Sequence, residues 1–449
     1  MKALQRLLSF PLAMSTLCAL AVSGPAQAQS LSVLMDHARS YDAAWLAAQA
    51  QLQAAGSRAE QARAGLLPSA GLAGGVTYSR TEVSRPAMPP LNVNGPTQTV
   101  GLQASQPLYR PANSIGLEQG QRGVDVAQAQ LEGAEQDLMI RIAQAYFDVL
   151  AAQDTLAFVR AQKTAVAEQL AAARRNFEVG TATVTDEREA RARHDLVTAQ
   201  EIAADNDLHV KRLALDQSVG RAGTAPLPLA QPVVLPALQP ADMDSWVRSA
   251  EERQPQVRQA LRALDIARLE TRKAETGHLP TVDLQAGYNV QRTPNGSIIM
   301  PGINTRTNVA SVGVALNVPL FAGFAVQNRI KETLSLEEKA RADLDNARRT
   351  VAQAARAAFF GVQSGLSQVA ALQAAEASSQ SALDANLLGY QVGVRINIDV
   401  LNAQSQLYQT KRDLASARYN VLVGTLRLKQ VAGTLTAADV AAVDAMLAR

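Results

Sequence analysis

Two stretches of this chain, residues 31–220 and 243–433, carry one pattern twice and align almost without gaps. Leu67-Pro68 recurs as Leu279-Pro280, and Pro107-Leu108-Tyr109 as Pro319-Leu320-Phe321, each 212 residues on. Phe177-Glu178-Val179-Gly180 recurs as Tyr390-Gln391-Val392-Gly393, Asp186 as Asp399 and Gly220 as Gly433, each 213 residues on. A solenoid unit recurs every ~20–50 residues, so a repeat this long is a duplicated half-protein. Each half must then hold the same succession of elements.

Each half opens with a helical segment, residues 31–67 and 243–279, ended by a proline that cannot continue a helix. Strict alternation follows. Ala70, Leu72, Gly74, Val76 and Tyr78, then Val100, Leu102 and Ala104, are interleaved with small or polar residues. The second half repeats this with Val282, Leu284, Ala286, Tyr288 and Val290, then Ala310, Val312, Val314, Leu316 and Val318. A period of two puts the apolar side chains on one face of a strand and leaves the other face polar. The strands are expected to be joined by loops at 85–96 and 293–306, rich in Pro, Asn and Gly.

The second strand of each half leads into a very long helix. Leu117, Val124, Leu131, Leu138, Ala145, Ala152, Val159, Val166 and Ala173 stand seven apart, an uninterrupted coiled-coil seam. A helix over 112–177 would be about 99 Å long at 1.5 Å per residue, far beyond a bilayer core of ~30 Å. The chain reverses near Gly180 and returns over about 186–218; the second half reverses near Gly393 and returns with Val400, Leu407, Leu414, Val421 and Leu428 at the same spacing. The returning helix is half as long as the outgoing one, and the opening helix of its half can stack end-on to complete the length.

Strands of this length suit a tilted membrane wall better than a soluble sandwich, whose strands are usually about 5–6 residues. Four of them cannot close a barrel, and open sheet edges are not tolerated in lipid. Several protomers must therefore share one barrel, which makes the expected fold class mainly α with a membrane β-barrel portion. Tyr109, Phe321 and Phe324 fall where strand gives way to helix and are expected to form membrane-interface aromatics.

The remaining segments set the address. Lys2 and Arg6, the apolar run from Leu12 to Val22 and Ala26-Gln27-Ala28 read as a signal peptide over residues 1–28. Cys18, the only cysteine, lies within it. Ser15 stands where an acylated leader has leucine, so Cys18 does not read as a lipidation site. The domain plan is residues 29–220 as first repeat, 221–242 as a Pro-rich linker in an equatorial collar, 243–433 as second repeat, and 434–449 as a C-terminal equatorial segment. No basic stripe interleaved with aromatics points to nucleic acid. His37, His194, His209 and His278 have no metal-ligand spacing, and no nucleophile constellation stands out, so neither catalysis nor a cofactor is expected. A periplasmic coiled-coil adaptor or scaffold is the alternative, and it does not explain four alternating strands.

Several motifs resemble those of the TolC family of outer-membrane channels across the chain from residue 29 on. They are Gly277-His278-Leu279-Pro280-Thr281, Tyr390-Gln391-Val392-Gly393-Val394-Arg395, Asp399-Val400-Leu401, Ala417-Arg418-Tyr419-Asn420 and Gly433-Thr434-Leu435. The resemblance implies a homotrimer with a twelve-stranded barrel in the outer-membrane lipid and a twelve-helix tube through the periplasm. It also implies a periplasmic adaptor protein and an inner-membrane pump or ABC transporter as partners, in drug efflux or type I secretion. For the closed periplasmic end it implies an acidic ring at Asp399, with Arg395 and Tyr390 latching the second helix pair to the first through Asp186. The family's second acidic position, three residues after the first, is Asn402 here. Asp186 and Asp399 also stand where helix caps are expected, and both readings are open at this point.

Overall fold

The computed structural model describes residues 29–448 apart from 87 and 298, so the signal segment lies outside the described residues. The first half runs α1 (Leu31–Tyr41), α2 (Ala43–Ala64), β1 (Ser69–Arg85), β2 (Met88–Tyr109), α3 (Pro111–Glu178) and α4 (Val184–Val219). The second runs α5 (Met243–Arg253), α6 (Pro255–Glu275), β3 (Thr281–Thr293), β4 (Thr305–Asn317), α7 (Ala325–Gln391) and α8 (Asn397–Val431), before a short α9 (Ala437–Asp444). The four strands form one antiparallel sheet in the order β1-β2-β3-β4. Among the described residues no helix is long and apolar enough to cross a membrane.

Two expectations need correction. Each opening helix is broken rather than continuous. Asp42 leaves helical geometry, and its carboxylate caps α2 through the Trp45 amide at 2.8 Å and accepts from Arg141 at 2.6 Å. In the second half the break falls at Gln254, whose side chain caps α6 just ahead of Pro255. The expected loop over 85–96 is mostly strand. The β1–β2 ladder continues through Arg80↔Asn94 and Val83↔Leu91, so β2 is 22 residues long.

The heptad seam is buried where α4 and α8 run along the long helices. Leu138, Val159, Val166 and Ala173 of α3 are buried, as are Val400, Leu407, Leu414, Val421 and Leu428 of α8. Toward the sheet α2 and α6 take over as the neighbours of α3, and α6 also packs on α7. The end-on stacking is made by two glycines at equivalent places in the repeat. Gly220, φ +73°, ends α4 against the ring of Tyr41, at the end of α1. Gly433, φ +68°, follows α8 so close to α5 that a Cβ there would lie 2.6 Å from the Arg253 carbonyl carbon. Both positions need a residue that tolerates positive φ and occupies no side-chain space.

The thickest core lies midway along α3. Leu31, Leu34, Tyr146, Phe147, Leu150, Leu422, Leu426, Leu435 and Leu447 pack together there. The Pro-rich linker crosses this core and pairs with the C-terminal segment, through an antiparallel bridge at Leu229↔Leu447 and through Ala230 N donating to Met446 O at 2.9 Å. The fully buried Tyr146 hydroxyl accepts from Leu227 N at 2.8 Å and lies 3.0 Å from Leu227 O and 3.2 Å from Gln29 O. Tyr146→Phe would strand these backbone groups. It is expected to cost about 1–3 kcal/mol, read as earlier thermal unfolding with the assembly otherwise intact. An unchanged melting temperature would mean that the collar is not held through this hydroxyl.

Candidate functional site

The sheet has two chemically different faces, and strand pairing brings the right residues together on each. Leu72 pairs with Leu102, Leu102 with Tyr288 and Tyr288 with Ala310, so every apolar series of the sequence lands on one side. Leu72 is 76% exposed and Val312 79%, a contiguous apolar wall that water does not favour. Val282 to Val290 gives nine residues in the band, the length of a tilted membrane strand. The opposite face carries Gly71, Gln103, Gln285, Gly287, Asn289 and Ser311. Among the described residues the outer edges of β1 and β4 have no strand partner.

At the junction with the helices Tyr109, Phe321 and Phe324 are all exposed, and the rings of Phe321 and Phe324 meet edge-to-face at 5.5 Å. Phe324 holds φ +63° at the start of α7, a strained position for an aromatic residue. Leu320 beside them is 93% exposed. Sequence reasoning missed the ion pair at the same level. Arg110, between β2 and α3, donates to both carboxylate oxygens of Asp283 on the polar face of β3, at 2.8 and 2.6 Å. This two-pronged pair fixes the helix to the sheet at its turning point. Its signal was there to be read, since Asp283 is the one acidic residue within β3.

At the far end, Gly180 and Gly393 turn the chain at φ +79° and +80°. Within the protomer the residues expected to latch the tip have other partners. The Asp186 carboxylate is used on its own helix: it accepts from Thr183 N at 2.9 Å and Thr183 Oγ at 2.7 Å, while Thr183 Oγ accepts from Asp186 N, a reciprocal capping box. At the equivalent place in α8 the cap residue is Ile396, which has no group to offer, and Asp399 turns to Arg395 at 3.6 Å instead. Within the protomer Arg395 therefore does not reach the Asp186 carboxylate. The bonds that join the two helix pairs are others. Asn176 Nδ2 donates to Tyr390 Oη at 3.2 Å, Arg193 Nη2 donates to Asn402 Oδ1 at 2.8 Å, and Asn397 Nδ2 lies 3.5 Å from Asp186 O. Tyr390 thus bonds to Asn176 rather than to Asp186, and Asn402 accepts from Arg193.

An apolar sheet face, a polar opposite face and helices up to about 100 Å long are the parts of an outer-membrane channel subunit. The chain matches the family described as Outer membrane efflux protein over residues 34–221 and 246–434. It is 31% identical to Outer membrane protein TolC of Vibrio cholerae over 426 residues, 95% of each chain. It is also 31% identical to Outer membrane protein TolC of Escherichia coli over 433 residues, 95% of this chain and 87% of that one. Proteases secretion protein PrtF of Dickeya chrysanthemi is 29% identical over 429 residues, 93% and 90% of the two chains. Among solved structures, VceC of Vibrio cholerae superposes with a TM-score of 0.76 at 18% identity, covering 90% of this chain and 96% of that one. The outer-membrane channel OprN superposes with a TM-score of 0.77 at 18% identity, covering 90% of each. The protein belongs to the outer-membrane efflux protein family, with a TolC-like fold. It is an outer-membrane channel component of efflux and secretion systems, a passive conduit and not an enzyme.

Proposed function

We propose that three copies close one twelve-stranded barrel in the outer membrane, continued into the periplasm by a tube of twelve helices, and that this trimer is the exit duct for a periplasmic adaptor and an inner-membrane pump or ABC transporter. The observation that carries this reading is the four-stranded sheet with an unbroken apolar face and two free edges. Lipid leaves such edges only one remedy, pairing with another copy. Relatives named for protease secretion, such as PrtF and Alkaline protease secretion protein AprF of Pseudomonas aeruginosa, stand beside the efflux protein BepC of Brucella suis. One duct design fits both uses, because selection of cargo falls to the energised partner.

The periplasmic tip acts as the gate. Asp399, repeated by threefold symmetry, sets three carboxylates around a narrow axis, where low-dielectric walls focus the field on cations. Arg395 tempers that field, and the Tyr390–Asn176 and Arg193–Asn402 bonds hold the helix pairs together. The rival reading, a soluble periplasmic scaffold, leaves the apolar face without a purpose. The purified protein is expected to require detergent, to run as a trimer by native mass spectrometry, and to conduct in a planar bilayer. A soluble monomer with no conductance would end the channel reading.

A further inference from the structure

Above the membrane band the β1–β2 hairpin exchanges its faces. Within the band the lipid-facing row of β1 is Leu72, Val76 and Tyr78, and the inner row is Gly71, Ala73, Gly75 and Thr77. Past Tyr78 the outer row continues with Arg80 and Glu82, paired with Asn94 and Asn92. The inner row now carries Val83 paired with Leu91, and Thr81 paired with Val93. Side chains that should meet water outside are polar, and those that should line a watery mouth are apolar. Val83, Leu91 and Val93 are half-buried although pairing of β2 with β3 begins only at Gln98↔Arg292.

The β3–β4 loop lies against that inner row. Asn295 Nδ2 donates to Asn94 O at 2.9 Å, and a Cβ on Gly95, an inner-row position, would come 2.7 Å from Asn295 Nδ2. Glycine at 95 lets the loop come this close. Within the loop Gly302 N donates to Asn295 O at 3.0 Å and Met300 N to Ser297 O at 3.1 Å. On this frame it presents Ile299, 87% exposed, with Met300 and Ile303 also exposed. Surface loops are ordinarily polar, and the described residues of this one present three large apolar side chains to solvent.

We propose that this is an outer gate: Ile299, Met300 and Ile303 of three protomers meet over the extracellular mouth of the barrel, backed by Val83, Leu91 and Val93, and close it by excluding water. The occupant of the apolar surface is the same loop of the other copies. The reason is position: the loop leads into the free-edge strand β4, which adjoins the next protomer when the barrel closes, and it is tied to the face that looks toward the axis. An apolar constriction of this kind stops ions without a charged ring, so the duct has a hydrophobic outer seal in addition to its polar periplasmic gate. The inference rests on the trimeric reading above.

The test exploits the absence of cysteine after residue 18. Ile299→Cys trimers are expected to cross-link to dimers on mild oxidation, while Asn92→Cys on the outward row does not. In whole cells a membrane-impermeant charged thiol reagent should reach Gln285→Cys on the inner barrel face slowly. It should reach it at least about tenfold faster when Ile299→Ser, Met300→Ser and Ile303→Ser remove the dry constriction; Ile299→Ser alone serves if the triple variant does not assemble. Because the reagent enters from outside, the periplasmic gate does not affect this rate. Intact trimers without the cross-link, and with equal labelling rates, would overturn the outer gate. A fluorophore on the Ile299→Cys variant quenched by lipid-borne spin labels would place the tip in the membrane and overturn it too. Failure to find trimers at all would instead overturn the channel reading beneath it.

Discussion

Arginine at Leu284 or Val312 is expected to block assembly of the protein in the outer membrane, whereas arginine at Gln285 or Ser311 is tolerated. Leu284 and Val312 lie on the apolar face of β3 and β4, and Gln285 and Ser311 are their immediate chain neighbours on the polar face. A guanidinium on the lipid face near the bilayer midplane costs about 2–4 kcal/mol. In the proposed trimer that cost falls at three points of one barrel at once. On the inner face the same charge stays in water and adds no such burden. The measurement is the fraction of trimer that resists unfolding by denaturant after refolding into lipid vesicles. Equal losses on both faces would show that the sheet is not a membrane wall.

The alternation that supports this expectation was readable because a period of two has only two faces, and one of them must leave water. The seam of α8 was readable for the same reason: Val400 to Leu428 at seven-residue steps return to one side of a helix, and that side is buried. The length of the β1–β2 hairpin was not readable. Pro89, Pro90 and Pro96 argue for a loop, yet above Gln98 strand β2 has no β3 partner, and an edge strand tolerates proline's missing donor. The break in the first helix had a local signal, since Asp42-Ala43-Ala44-Trp45 is a cap sequence set inside a helical run. At the tip, the match of Asp186 with Asp399 in the repeat suggested matching roles. One residue outside the match, Thr183 against Ile396, is enough to send the two carboxylates to different partners. Contacts such as Asn176–Tyr390, 214 residues apart, depend on the relative rotation of two long helices, which no local pattern specifies.

Removing two of the cross-pair bonds at the tip should open the duct, and changing the proposed carboxylate ring should alter cation block separately. Tyr390→Phe deletes the hydroxyl that accepts from Asn176, and Arg193→Ala deletes the donor to Asn402. One of these bonds is part-buried and the other exposed, and such bonds are worth about 0.5–1 kcal/mol each, so the double variant loses roughly 1–2 kcal/mol per protomer and roughly 3–6 kcal/mol around the proposed trimer. A factor of ten needs about 1.4 kcal/mol, so the closed state loses at least about a hundredfold of its advantage over the open one. Single-channel conductance should rise while trimer stability stays unchanged, because neither residue touches the barrel or the equatorial core. Asp399→Ala should weaken block by multivalent cations, since in the proposed trimer it takes three negative charges from the axis. Arg395→Ser should strengthen that block, because Arg395 lies 3.6 Å from Asp399 and offsets its charge within the protomer. An Arg395→Ser channel that instead opens like the Tyr390/Arg193 double variant would make Arg395 a latch between protomers. Wild-type conductance and wild-type block in all of these variants would reduce the tip residues to caps of their own helices.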